Sequence, residues 1–140
     1  MSQFFKINVS TVLFNEKREI LIQKRSLDEE VYPGLWGIPG GTVETSDSSI
    51  LDALKREVKE EVGLEISNIV FYKENLVSKE KYGVFYLVFI SENFSGEAKA
   101  LDGTSDVLWL EENNLNDYEF TPTTKETILE LFQKGNSNRN

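Results

Sequence analysis

Histidine and cysteine are both absent from the 140 residues of this chain. Without cysteine, the chain can form no disulfide bond, no thiolate metal site and no thiol nucleophile. Without histidine, it lacks the usual general base of enzymes and the usual ligand of zinc. Any acid–base chemistry must therefore come from carboxylates, lysines, tyrosines or metal-bound water.

Basic residues are outnumbered by acidic ones, and the chain has no long apolar run. There are 15 lysines and arginines against 24 aspartates and glutamates, a formal net charge of −9. This charge disfavours binding to nucleic-acid polymers and to anionic membranes. No segment approaches the ~20 apolar residues of a membrane span, and the N-terminus has too short an apolar run for a signal peptide. We therefore expect a cytoplasmic protein with neither kind of partner.

The order of predicted elements indicates an α/β fold class. We expect residues 1–134 to form a single domain and the polar residues 135–140 to be a disordered tail. The first two predicted strands should pair back on each other about the polar turn 15–19. Together with two helices, the strands predict an α/β/α sandwich with a mixed sheet between helices. β-branched and aromatic residues place the strands at 4–14, 20–25, 69–75, 82–90 and 107–110.

The first predicted helix has clear start and stop signals. Ser49 and Asp52 fit a capping box, and Gly63 is a typical residue just after a helix. The apolar residues between them gather on one face, and two glutamates, Glu57 and Glu61, border that face. We therefore expect a helix from about Ser49 to Gly63 in which these two carboxyls are partly screened from water.

Three glutamates near the end of this helix indicate a cation site. Glu57, Glu60 and Glu61 fall within an arc of about 100°. Like charges at i,i+4 destabilise a helix by roughly 0.2–0.5 kcal/mol, so such a cluster suggests a positive charge in front of it. Oxygen-only ligands of this kind suit Mg²⁺ or Mn²⁺. The alternative is a solvated helix face with ordinary ion pairs, such as Arg56–Glu60.

A glycine turn at Gly40–Gly41 precedes this helix, and the two together resemble a known motif. The stretch 41–64 is similar to the Nudix box, Gly-x5-Glu-x7-Arg-Glu-U-x-Glu-Glu-x-Gly-U, where U is aliphatic. The flanking strands and Trp109 extend the resemblance to the Nudix (MutT-like) hydrolase family over nearly the whole chain. The second half of the box matches at every fixed position, namely Arg56, Glu57, Val58, Glu60, Glu61, Gly63 and Leu64.

The first half of the box departs from the pattern. Counting from Gly41, the expected glutamate falls on Asp47, whereas counting back from Arg56 it falls on Ser48. The loop 45–48 therefore carries a one-residue insertion, and Asp47 is a candidate to replace the glutamate. The departure bears on catalytic strength and metal count, and leaves the predicted fold unchanged.

The resemblance implies a role for each matched residue. Glu60 and Glu61 would ligate a divalent cation together with the carbonyl oxygen of Gly40. Glu57 would be a further ligand or the general base for water. Arg56 would orient these glutamates through a salt bridge.

Residues outside the box are weaker candidates. Arg25, at the end of the second strand, looks like a residue that contacts substrate phosphates in many family members, although an exposed strand-end arginine is nearly as plausible. Tyr82 resembles an aromatic residue of dinucleoside polyphosphate hydrolases, although a core tyrosine is the more common case. An additional base or ligand would come from a later loop, and the sequence leaves four candidates open: Glu97, Asp102, Asp106 and Glu119.

The resemblance implies a hydrolase that uses Mg²⁺, or Mn²⁺ as the alternative, to cleave a diphosphate linkage in a nucleoside diphosphate derivative. The expected substrates are nucleoside triphosphates or dinucleoside polyphosphates. A rival interpretation is a catalytically weak nucleotide-binding or regulatory module on the same fold. An isomerase of the isopentenyl diphosphate type is disfavoured, because that chemistry resembles one that needs cysteine and histidine. Oligomeric state is open, and a homodimer in which a partner covers a sheet edge is compatible with the sequence.

Overall fold

The strands form two sheets in the computed structural model, which describes residues 3–137. The two α-helices are α1, Ile50–Val62, and α2, Thr124–Ser137, and a short 3₁₀ helix spans Glu112–Asp117. The seven strands are β1 (Phe5–Leu13), β2 (Ile20–Arg25), β3 (Trp36–Gly37), β4 (Gly40–Thr42), β5 (Glu65–Ser78), β6 (Gly83–Ser95) and β7 (Thr104–Leu110).

The larger sheet is mixed and has the order β4-β1-β6-β5, and the smaller sheet has the order β3-β2-β7. In the larger sheet β1 and β6 run parallel, whereas the other pairs are antiparallel. The smaller sheet is antiparallel throughout. The predicted α/β class with a mixed sheet is confirmed, although the strands divide between two sheets.

The predicted pairing of the first two strands is wrong. β1 and β2 lie in different sheets and share only an isolated bridge between Phe14 and Ile20. Both edges of β1 are already occupied, by β4 on one side and by β6 on the other. After the turn, which the Asn15 side chain closes by accepting from the N–H groups of Lys17 and Glu19, the chain therefore passes into the second sheet.

Alternate residues of β1 face opposite sides of the larger sheet, and each side has its own core. Val9 and Leu13 pack in a cluster with buried residues of α1, such as Val58. Val12 packs in a second cluster with residues of α2, such as Ile128. Since side chains alternate along a strand, the two helices cover opposite faces, as an α/β/α sandwich requires.

Several boundaries differ from the predicted ones. β5 and β6 are longer than predicted, and β7 begins three residues earlier, at Thr104. Helix α2 continues to Ser137, so residues 135–137 are helical where a disordered tail was predicted, and residues 138–140 lie outside the described part of the chain. No helix among residues 3–137 is both long enough and apolar enough to cross a membrane.

Candidate active site

Helix α1 has the limits that its capping signals predict. The Ser49 side chain accepts a hydrogen bond from the N–H of Asp52 at 3.0 Å. Gly63 adopts the left-handed conformation, with φ 76°, and donates its N–H to the carbonyl oxygen of Lys59 at 3.0 Å. The core-facing residues of the helix are Ala53, Leu54, Val58 and Val62, whereas Ile50 and Leu51, which the pattern also placed on that face, are exposed.

The glycine turn lies directly against this helix. A Cβ atom at Gly41 would collide with the carboxyl group of Glu57, and one at Gly40 would collide with the carbonyl oxygen of Val9. Gly40 must therefore be glycine for strand β4 to pair with β1, whereas a side chain at Gly41 would have to displace the carboxyl group of Glu57. This close approach brings the backbone of the turn next to the acidic residues of the helix.

Glu61 is the most buried of the three glutamates. Its Oε1 accepts hydrogen bonds from the N–H of Gly40 at 3.0 Å and from Nε2 of Gln23 at 3.1 Å. Burial raises the pKa of this carboxyl to about 7, although the two hydrogen bonds oppose the rise. A buried carboxyl with a raised pKa would gain from a nearby cation, because the cation would stabilise its charged form.

Gln23 is a site residue that the motif did not reveal. It follows the buried residues 20–22 on β2 and is itself buried. Its Oε1 has no hydrogen-bond partner among residues 3–137, although its Nε2 binds Glu61. The sequence did contain a signal for Gln23, because it is a polar residue within an apolar strand. A polar side chain that is buried needs a hydrogen-bond partner.

Arg56 connects the helix to the loop before it. Its Nε and Nη2 donate to the two carboxyl oxygens of Asp47 at 2.8 and 2.9 Å. Its Nη1 donates to Glu57 at 2.9 Å and to Glu60 at 3.3 Å. Nη2 also donates to the carbonyl oxygen of Thr42, at 3.3 Å. This geometry is compatible with the predicted orienting role of Arg56, which stays a prediction.

Asp47 takes the place that the box pattern gives to its first glutamate when counting from Gly41. The Arg56 guanidinium, together with the N–H of Glu44, lowers the pKa of Asp47 to about 2. The extra residue of the loop therefore lies after Asp47, between it and the start of α1. Sequence reasoning could not choose between Asp47 and Ser48, because the choice depends on this contact across the loop.

The donor set of the three glutamates fits a divalent cation. Each carboxyl keeps one oxygen to which no described residue donates a hydrogen bond, namely Glu57 Oε2, Glu60 Oε1 and Glu61 Oε2. Such hard oxygen donors suit Mg²⁺ or Mn²⁺. The carboxyls are not gathered into a preformed cage, since no three acidic side chains within residues 3–137 converge on one point that could hold an ion. Two of them are instead drawn to Arg56, so ion binding would need small side-chain movements.

Arg25 lies near the glutamates, whereas Tyr82 does not. The Nε of Arg25 donates to the carbonyl oxygen of Val31 at 2.7 Å, and its charge is close enough to Glu61 to lower the pKa of that carboxyl. Tyr82 lies at the hairpin between β5 and β6, beside Lys6, whose Nζ is 4.8 Å from the centre of its ring. The structure therefore brings Arg25 close to Glu61, whereas the contact that it shows for the Tyr82 ring is with Lys6.

The four candidates for an additional base or ligand lie apart from the hydrogen bonds of the box. Glu97 and Asp102 belong to a loop whose Lys99 and Leu101 donate backbone N–H groups to the last turn of α1, at Val62 and Glu61. The carboxyl of Asp106 binds the N–H of Val107, and the carbonyl of Glu119 accepts from the N–H of Trp36. Among the described residues, none of the four carboxyls bonds to Arg56 or to a box glutamate.

Known proteins share this fold and this sequence pattern. The NUDIX domain pattern matches residues 4–131. Nucleoside triphosphatase NudI of Escherichia coli K12 is 30% identical over 119 residues, which cover 77% of this chain and 84% of NudI. The MutT protein of Methanosarcina mazei Go1 superposes with a TM-score of 0.78 at 24% identity, covering 97% of this chain and 98% of that one. The NUDIX domain of Shewanella oneidensis NrtR, complexed with ADP ribose, superposes with a TM-score of 0.78 at 18% identity. This superposition covers 96% of this chain and 89% of that one.

The fold and the glycine turn against an acidic helix define a Nudix-type α/β/α domain. The structural similarities, at 24% and 18% identity, bear on the fold alone. The sequence pattern extends over most of the chain. The chain belongs to the NUDIX domain family, and it is a Nudix hydrolase. Nudix hydrolases generally use divalent metal ions.

Proposed function

We propose that this protein uses Mg²⁺, or Mn²⁺ as the alternative, to hydrolyse a phosphoanhydride bond of a nucleoside triphosphate. The observation that carries the proposal is the group of Glu57, Glu60 and Glu61 around Arg56 and the Gly40 turn. The similarity to a protein named nucleoside triphosphatase supports the choice of substrate class. A dinucleoside polyphosphate contains the same kind of bond and is the second substrate to test.

The residues that would hold the cation are Glu60, Glu61 and the carbonyl oxygen of Gly40, and Glu57 would serve either as a further ligand or as the general base for water. A bound divalent ion would supply positive charge that neutralises phosphate oxygens and stabilises the leaving phosphate. This charge matters because carboxylates alone would repel an anionic substrate. The surrounding chain is also acidic, with a net charge of −9.

The protein's own groups would position the substrate and accept the proton. Burial raises the pKa of Glu57 above its usual value, which makes its free oxygen, Oε2, a better proton acceptor for the attacking water. Arg56 holds the other oxygen of Glu57 at 2.9 Å and so fixes the direction in which Oε2 points. Arg25, close to Glu61, would contact a phosphate group.

The alternative is a module that binds a nucleotide without hydrolysing it. The observation that favours it is that the three carboxyls are not preassembled around a point within the described residues. The similar NUDIX domain of NrtR is complexed with ADP ribose, so a domain of this shape can accommodate a nucleotide. The free carboxylate oxygens and the half-buried Glu57 favour the hydrolase.

The test is a panel of nucleoside triphosphates, sugar nucleotides and dinucleoside polyphosphates incubated with Mg²⁺ or Mn²⁺, with products separated by chromatography. We expect turnover that EDTA abolishes and that Glu60→Gln lowers at least about a hundredfold. Glu65→Gln is the matched control, because Glu65 is exposed and, within residues 3–137, its side chain pairs only with Lys59. Nucleotide binding without turnover would favour the binding module, and full activity of Glu60→Gln would refute the metal assignment. Light scattering on the same sample would measure the oligomeric state, for which a homodimer is compatible with the sequence.

A further inference from the structure

Gln23 is a polar residue in a row of side chains that is otherwise apolar. On β2, Leu21 packs in the cluster of α1, whereas Ile20 and Ile22 pack in the cluster of α2. Since side chains alternate along a strand, Gln23 faces α1 as Leu21 does. Its paired residue on β7, Val107, also packs against the cluster of α1. An apolar side chain would fit this environment, so the amide group of Gln23 indicates a role other than packing.

The nitrogen of this amide binds Glu61. Nε2 of Gln23 donates to Oε1 of Glu61 at 3.1 Å, and the same oxygen accepts from the N–H of Gly40 at 3.0 Å. Two donors on one oxygen hold a carboxyl group in a single orientation. The other oxygen of Glu61, Oε2, accepts no hydrogen bond from the described residues. Gln23 therefore helps to determine which oxygen of Glu61 is presented to a cation.

The oxygen of the same amide is buried and has no partner. Gln23 is only 5% exposed, and within residues 3–137 no group donates a hydrogen bond to its Oε1. The amide cannot turn over to satisfy this atom, because its oxygen would then face an oxygen of Glu61. A buried acceptor without a donor destabilises a protein. The geometry therefore indicates a donor that reaches Oε1 from outside the described part of the chain.

A water molecule of a hydrated cation is the donor that suits this position. Because Oε1 and Nε2 of Gln23 share one carbon atom, Oε1 lies beside the carboxyl group of Glu61. Mg²⁺ usually keeps several waters when it binds to a protein, and water molecules can donate. The phosphate oxygens of a nucleotide are acceptors and cannot fill this role.

We propose that Gln23 is a positioning residue of the cation site, which orients the Glu61 carboxyl through Nε2 and binds a water of the hydrated cation through Oε1. The proposal rests on the proposed function, because it needs a cation at Glu61. Gln23 acts through Glu61 and through water, so its loss weakens cation binding and leaves the groups that contact the substrate in place. The partners of metal ligands typically contribute 10–100-fold to metal affinity.

The first test measures cation binding without substrate. Gln23→Met keeps an unbranched side chain and removes both polar atoms, in a row that is already apolar. We expect the Kd for Mn²⁺, measured from the EPR signal of the free ion, to rise about tenfold above that of wild type. Gln133→Met is the matched control, because Gln133 is exposed on α2. An unchanged Kd in a folded Gln23→Met protein would refute the proposal.

Kinetics separate a positioning role from a purely structural one. At low Mn²⁺ concentration we expect Gln23→Met to hydrolyse the substrate more slowly than wild type, and excess Mn²⁺ should restore kcat. A structural defect would not be repaired by the ion. Thermal unfolding of the metal-free proteins checks that both are folded. If kcat of Gln23→Met stays low when Mn²⁺ is saturating, the proposed role is wrong.

A further measurement uses the wild-type protein and does not depend on the folding of a variant. We expect the side-chain amide NMR signal of Gln23 to shift on titration with Mg²⁺, and that of Gln133 to stay in place. A Gln23 signal that does not move at saturating Mg²⁺ would show that Oε1 binds an ordinary buried water, independent of the cation.

The outcomes distinguish this proposal from the proposed function. If wild type binds neither Mg²⁺ nor Mn²⁺, the proposed function fails and the role of Gln23 fails with it. If wild type binds the ion and hydrolyses nucleotides while Gln23→Met has the same Kd for Mn²⁺, only the role of Gln23 is refuted.

Discussion

Asp47 and Arg56 form a two-point salt bridge, with Nε to Oδ1 at 2.8 Å and Nη2 to Oδ2 at 2.9 Å. The Asp47 side chain is only 6% exposed, so the carboxyl group of this pair is largely shielded from water. Two parallel hydrogen bonds fix the plane of a guanidinium group. The third nitrogen of Arg56 is thereby directed at Glu57 and Glu60. We therefore expect Asp47 to influence the placement of two glutamates that it does not touch.

Asp47→Ala should therefore reduce activity although Asp47 is not among the proposed metal ligands. We expect kcat to fall by roughly 10–100-fold, the usual effect of removing a group that orients a metal ligand, with KM changed much less. Asp47→Glu, which keeps the charge, should restore part of the loss. Ser46→Ala is the control, because it alters an exposed neighbour in the same loop. Steady-state kinetics on the four proteins would check this, and a wild-type kcat for Asp47→Ala would contradict the orienting role.

The same salt bridge predicts how stability depends on pH. In the folded protein the pKa of Asp47 is lowered from 3.8 to about 2, so the unfolded chain takes up its proton at a higher pH than the folded one. The stabilisation is therefore complete above pH 3.8 and disappears as the pH falls through 2. Denaturant unfolding measures the free energy of unfolding of wild type and of Asp47→Asn. The difference between the two free energies should be constant near neutral pH and should become smaller between about pH 5 and pH 2. A difference that does not narrow would point to another source of the effect.

The sequence predicted helix α1 well because its signals are local. The cap at Ser49, the stop at Gly63 and the spacing of the glutamates all lie within a single element. The glycine turn could also be recognised from the sequence, but the structural reason for its glycines could not. A side chain at Gly41 would have to displace the carboxyl of Glu57, which lies on another element.

The features that sequence reasoning missed depend on contacts between distant segments. Pairing of β1 with β2 was expected from their adjacency, but β1 pairs instead with β6, more than seventy residues later, as in Phe5 with Gly83. The partner of Arg56 was ambiguous for the same reason, since only the folded loop distinguishes Asp47 from Ser48.

The cap of α1 should contribute measurably to stability. Ser49→Ala removes the side-chain oxygen that accepts from the N–H of Asp52, and we expect a loss of about 1 kcal/mol in the free energy of unfolding. Ser48→Ala is the matched control, since it changes the preceding exposed serine. Denaturant unfolding of both variants measures the difference. Equal losses in the two would show that the cap is not responsible.

Gly41→Ala should impair catalysis more than folding. The φ angle of Gly41 is not in the left-handed region, so alanine can adopt the backbone, but its Cβ would displace the carboxyl of Glu57. A displacement of about 1 Å can cost roughly a hundredfold in rate, and we expect a loss in kcat of that order. Gly37→Ala is the control, because its Cβ would meet Thr121 Oγ1 at an ordinary distance of 3.5 Å. Thermal unfolding of both variants separates a local effect from a loss of structure. If Gly41→Ala folds normally and retains wild-type kcat, the position of the Glu57 carboxyl is not important for the reaction.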